Sequence, residues 1–289
     1  IEEPISLGTI LPTDRICKGA PQDVKAVLTG EGADEIFAGY RKFMLEAAAE
    51  EYLSLPPRMK ARFHQKFPEL ESYLVSRSSD PAERYIQTEA LFNNEELNRL
   101  LGVCPGEDVF PQDAMPVLSG REHPVDAAIA FESRCRLPDY VVLRLDKLSM
   151  RHSLETRTPL LDYRLAEFAA RLPIEMKLNL GLNREKFICS YSFVKNGLLD
   201  ARTAFRKKQP FTFPMADWLS DTSTLPEPIR EVLFGDIVKQ HNIINPEFVR
   251  ELAGGVSSEG IGPQTLVSQA DRLFSVIVFT LWYQEFMYR

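Results

Sequence analysis

The run Val24-Lys25-Ala26-Val27-Leu28 restricts the fold more than any other feature. It reads as a short buried strand in a chain whose other periodic segments read as helices. A buried parallel strand cannot stand alone, because its backbone groups and both faces need neighbours. Either further strands escape the pattern, or the partners belong to residues outside this chain. The strand ends at once in Thr29-Gly30-Glu31-Gly32-Ala33-Asp34-Glu35. Two glycines two residues apart at a strand's carboxyl end mark a tight turn that a ligand can approach closely.

The remaining chain predicts helices. They cover Arg41 to Leu53, a segment from Asp80-Pro81-Ala82-Glu83 to Leu91, and Asn94 to Leu101. Asp80 reads as a cap, with Pro81 in the first turn and Glu83 three residues later. Val125 to Arg136 and Asp139 to Met150 read as two helices separated by Pro138. Arg164 to Leu172, Glu185 to Val194 and Ala270 to Met287 follow, the last an apolar core helix. The start, Ile1 to Pro21, reads as loop with a short helix, and Gly254 to Gly262 as a surface loop. No repeat or low-complexity tract is present.

Composition narrows the function classes. A net charge of −7 over 289 residues argues against a protein that coats nucleic acid. No apolar run reaches the 18 or so residues of a membrane span, and no signal peptide is visible. Cys17, Cys104, Cys135 and Cys189 are isolated, so neither a zinc site nor a disulfide framework is expected, and a reducing cytoplasm is the expected home. Between Arg144 and Lys208, however, 14 basic residues face 7 acidic ones. Such a basic centre suits a small polyanion, although solvated helix faces would give the same count.

Three segments carry chemistry. In the first, Glu31, Asp34 and Glu35 crowd the strand's carboxyl end, where open α/β sheets bind ligands. Close backbone at Gly30 suits a nucleotide, and a carboxylate such as Asp34 suits Mg²⁺ carried on phosphates. Glu35 serves equally as a helix-start carboxylate. The second runs from Arg144 to Asp162. There Glu155, Arg157 and Asp162 read as a structural ion-pair network, and His152 as a structural residue. The third is Arg206-Lys207-Lys208-Gln209-Pro210-Phe211, a solvated turn unless it folds over the strand end. In that case one cation could neutralise a leaving phosphate.

In this order and spacing, TGEGADEIFAGY, LDKLSMRHSLETRTPLLD with RLAEFAARLP, and RKKQPFTFPMADWL resemble the synthetase domain of glutamine-dependent asparagine synthetases. These belong to the PP-loop ATP-pyrophosphatase superfamily, an α/β fold on a parallel sheet. The resemblance runs from about Glu3 to Leu219 and weakly beyond. It implies that residues 1–289 are the mostly helical C-terminal portion of such a domain. It also implies that Thr29 and Gly30 contact ATP, that Glu31 accepts a proton from incoming ammonia, that Asp34 binds Mg²⁺ and that Lys208 stabilises pyrophosphate. The implied reaction is amidation of a carboxylate, aspartate first among candidates, through an acyl-adenylate.

Family members also carry an N-terminal glutaminase domain and an S-G-G-x-D-S phosphate loop, and neither occurs in this sequence. A companion N-terminal half carrying the PP-loop, and a glutaminase supplying ammonia, are therefore the expected partners. The first residue, Ile1, agrees with a processed product or fragment. A β-lactam synthetase relative would carry tyrosine where Glu31 stands. Another natural-product amide-forming enzyme and an inactive regulatory subunit remain alternatives.

Overall fold

The computed structural model describes residues 2–20, 23–75, 77–102, 114–120, 123–208, 211, 213–221, 223–256 and 268–288. Cys104 and most of the loop expected over Gly254 to Gly262 lie outside them. The described residues are mostly helical, with two short parallel strands, β1 (Ala26–Leu28) and β2 (Glu155–Arg157). Their register pairs Ala26 with Glu155, Val27 with Thr156 and Leu28 with Arg157.

β2 answers part of the strand shortage. Its sequence, Glu-Thr-Arg, has no apolar run to betray it, and pairing with β1 makes it a strand. The expectation that β1 is buried fails. Leu28 is 75% exposed, because β2 is its single partner among the described residues. Glu155 and Arg157 point to solvent on β2 and pair with each other at 2.8 Å, while Asp162 pairs with Arg164. These are two local ion pairs and not one network.

The long crossover from β1 to β2 builds most of the first core, which Ile174 and Leu178 complete from beyond β2. Helix Arg41–Ser54 is buried continuously from Lys42 to Ala49, so it must lie at a centre and not on a surface. Phe43, Met44 and Leu45 pack there with Phe67, Tyr73, Tyr85 and Val125. The core also encloses charge. The Arg84–Glu46 pair is 1% exposed on each side, and the Lys42 ammonium bridges Glu132 at 2.6 Å and Glu89 at 2.7 Å. Helix Pro81–Glu89 starts as the sequence predicts, with the Glu83 N–H donating to the Asp80 side chain at 2.9 Å. Asn94–Leu101 has a full capping box and stops at Gly102 in the left-handed conformation.

Pro138 does not separate two helices. Pro124–Phe131 continues into a π-helical segment, Glu132–Val142, and then into the α-helix Leu143–Met150. Wider turns relieve the clash between the proline ring and the preceding turn, which would break an α-helix. A second core surrounds helix Gln269–Phe286, where Leu273, Val276 and Ile277 meet Val232, Phe248 and Leu252. The N-terminal segment docks on the last helix: the Trp282 indole donates to the Glu2 carbonyl, and the Lys147 ammonium pairs with the Glu2 carboxylate.

Candidate functional site

The site lies at the carboxyl end of β1. The Thr29 N–H donates to the Arg157 carbonyl at 2.8 Å, which extends the strand pairing by one residue. The Thr29 hydroxyl is buried and finds no partner among the described residues, which leaves it available to a ligand. A side chain at Gly30 would meet nothing within 4 Å, so this backbone is open.

The other two glycines of the motif serve packing. Gly32 has φ +89°, and a Cβ there would come within 2.0 Å of Leu161 Cδ2. A Cβ on Gly39 would stand 1.8 Å from the Asp34 carboxylate. Glycine therefore closes the turn against Leu161 at one point and makes room for Asp34 at the other.

Glu31 accepts a 3.2 Å hydrogen bond from Arg144 Nη2, on the helix that follows the π-helical segment. Burial pushes its carboxyl above the ordinary glutamate range. Arg144 opposes this, while the neighbouring charges of Glu35 and Asp34 add to it. Asp34 is tuned the other way. Burial works to raise it, but the ammoniums of Lys186 at 2.8 Å and Lys208 at 3.0 Å prevail and hold it below the ordinary aspartate value. Lys208 also donates to the Gly39 carbonyl at 2.8 Å and lies 5.3 Å from the Tyr40 ring centroid. Glu35, almost fully buried, accepts from the Tyr40 hydroxyl.

The five residues singled out from the sequence thus lie on one strand end and on the segment folded over it. Thr29, Gly30, Glu31 and Asp34 come from one turn, and Lys208 arrives from 174 residues away to meet Asp34. Gln209 and Pro210 lie outside the described residues. Arg184 holds the approaching segment by donating to the Arg206 carbonyl at 3.1 Å.

Two participants were not assigned from the sequence. Lys186 stands in the left-handed conformation, φ +47°, before helix Phe187–Lys195, and no spacing announces it. Arg144 falls within the second motif, but its partner Glu31 is 113 residues distant. His152 Nε2 stands 2.8 Å from Asp14 Oδ1, on helix Ile10–Lys18.

The donor set suits a metal carried on phosphates better than a caged ion. No group of three His, Cys, Asp or Glu among the described residues could hold a metal. A phosphate-bound Mg²⁺ asks the protein for only one or two carboxylates, which Asp34 can supply. The three described cysteines are free, and burial raises the Cys17 and Cys189 thiols, the latter to about 11. No described helix is long and apolar enough to cross a membrane.

A family model described as asparagine synthase matches residues 1–284. Relatives include a putative glutamine-hydrolysing asparagine synthetase of Mycobacterium tuberculosis, 27% identical over 229 residues, covering 76% of this chain and 34% of the relative. Glutamine-hydrolysing asparagine synthetase 1 of Bacillus subtilis is 22% identical over 291 residues, covering 98% and 44%. Amidase chry2 of Gibberella zeae is 26% identical over 194 residues, covering 58% and 29%. The chain spans less than half the length of these relatives. No solved structure matches it.

Proposed function

The chain belongs to the asparagine synthase family, and from that premise we propose that it forms the C-terminal part of an ATP-dependent, amide-forming synthetase domain of the PP-loop type. The supporting observation is the convergence of Thr29, Gly30, Glu31, Asp34, Lys186 and Lys208 at the carboxyl end of β1. There the turn offers an open backbone, an unpartnered hydroxyl and two ammoniums. The proposed setting is cytoplasmic, with ammonia drawn from a glutaminase and the phosphate loop supplied by a companion N-terminal half.

In the proposed reaction a substrate carboxylate, aspartate first, attacks the α-phosphorus of ATP and expels pyrophosphate. Ammonia then attacks the mixed anhydride to give the amide and AMP. Thr29 and Gly30 orient the nucleotide. Lys208, with Lys186 beside it, bears on the charge that develops on the departing phosphates. Glu31 takes the proton that the attacking ammonia must lose, and its raised pKa makes the carboxylate a stronger base. Asp34 would hold Mg²⁺, which supplies charge neutralisation at the phosphates when bound.

The test is pyrophosphate release and amide formation across a panel of carboxylates led by aspartate, using the chain together with its N-terminal half. Release that depends on both carboxylate and ATP is expected. Lys208→Ala should lower it by on the order of 100-fold or more, the scale of one electrostatic donor in a transition state. Wild-type turnover in Lys208→Ala at saturating ATP would remove Lys208 from this role. A Glu31→Tyr variant that amidates normally would do the same for the base.

A further inference from the structure

Arg144 is the most deliberately placed cation near the site. Its side chain is 8% exposed, although it carries a full charge. One guanidinium nitrogen, Nη1, donates to the Thr9 hydroxyl at 2.5 Å, and Nη2 reaches Glu31 at 3.2 Å. The plane also lies against Tyr140, with 5.9 Å from Cζ to the ring centroid. Thr9 immediately precedes helix Ile10–Lys18, which packs along Leu143–Met150. Arg144 is thus held from two elements and extends its free edge to a third.

The backbone behind it is equally specific. Arg144 follows the π-helical segment Glu132–Val142 by two residues. Wider turns retard the rotation of side chains about a helix axis. The face presented after Val142 therefore differs from the one an unbroken α-helix would present, and that face carries Arg144 to Glu31. π-turns recur where a side chain must be re-aimed for function.

We propose that Arg144, anchored by Thr9 and aimed by the π-helical segment, is the positioning residue that fixes the Glu31 carboxylate at the carboxyl end of β1. Its catalytic consequence rests on the reading of Glu31 as the proton acceptor; its structural content does not. Among the described residues, the charged groups that bear most on Glu31 are Arg144, Glu35 and Asp34. Removing Arg144 takes away the single cation among them and frees the carboxylate to rotate.

The experiment reads Glu31 directly in the 289-residue chain, by ¹³C NMR titration of glutamate carboxyls, with Glu31→Gln assigning the signal. Arg144→Met should raise the Glu31 midpoint by about one pH unit, the low end for loss of an adjacent opposite charge. Thr9→Val should move it the same way by less, and Arg144→Lys should restore most of the shift. Asp34→Asn should move it downward. An unmoved midpoint in both Arg144→Met and Thr9→Val, with unchanged circular dichroism, overturns the proposal. Should Arg144→Met fail to fold, Thr9→Val decides alone.

A second arm joins the chain to its N-terminal half. Arg144→Met should lower amidation on the order of 100-fold, the scale of a misplaced catalytic group, with little change in the KM for ATP. Millimolar guanidinium should partly restore Arg144→Met and leave Glu31→Gln inactive. If Glu31→Gln amidates normally while the NMR shifts persist, the base assignment falls and the positioning of Glu31 stands.

Discussion

Glu31 and Asp34 sit three residues apart in one turn and respond oppositely to it. The folded-state pKa of Glu31 is raised, so folding favours its neutral form. The resulting loss of stability sets in as pH rises through the ordinary glutamate value and is complete above the folded one. Glu31→Gln should therefore stabilise the chain at neutral pH, because the neutral amide avoids the burial penalty of the carboxylate. The gain should vanish below the ordinary glutamate pKa, which urea unfolding at pH 7 and near pH 4 would check. Asp34 has the reverse sign. Its depressed pKa contributes stability that is present above the ordinary aspartate value and is lost as pH falls through the folded one. Gly32→Ala should cost more than the roughly 1–2 kcal/mol of a left-handed L-residue, since the new methyl also meets Leu161. A thermal melt would read it. Thr29, Gly30, Glu31 and Asp34 were legible because they share one contiguous turn with the strand that presents them. Lys186 and the task of Arg144 were not, because each is defined by a partner more than a hundred residues away.

At the scale of elements, the signals that worked were local and the failures were contextual. The Asp80 cap and the span of Asn94–Leu101 follow from short-range chemistry. Pro138 also carries a local signal, and it misleads, because a π-helical segment absorbs the proline that an α-helix would reject. β2 had no local signal at all. Three polar residues become a strand because β1 offers its backbone. Helix Arg41–Ser54 shows the cost of charge in a core. Glu46 and Arg84 satisfy each other there, and Tyr73 donates to Glu46 at 2.7 Å. Arg84→Met should destabilise the chain by about 3–5 kcal/mol, because it leaves a buried carboxylate uncompensated. Exchanging both partners for apolar residues of similar volume should recover most of that loss. Urea midpoints of the single and double variants would separate the two outcomes.

At the scale of the whole molecule, two large cores, with a small cluster of Ile36, Phe37 and Ala169 beside the site, share the work of burial among the described residues. The first is built mainly by the crossover between the strands and is completed by Ile174 and Leu178 beyond β2, and the second gathers on helix Gln269–Phe286. The contacts between Glu2, Trp282 and Lys147 bring the beginning of the chain to its last helix. A circular permutant with residues 2 and 288 joined by a short Gly/Ser linker, and new ends at an exposed turn, should keep its circular dichroism spectrum and melt within a few degrees of the parent, as chains with adjacent ends do. The clasp also sets a direction of delivery. Lys147 lies one helical turn beyond Arg144, whose guanidinium holds Glu31. A polypeptide attached ahead of Glu2 would join beside that turn, so its last residues would be brought to the doorway of the site without a long tether. Attachment at this end is steering by geometry: the join itself brings a second body to the place where the strand is open.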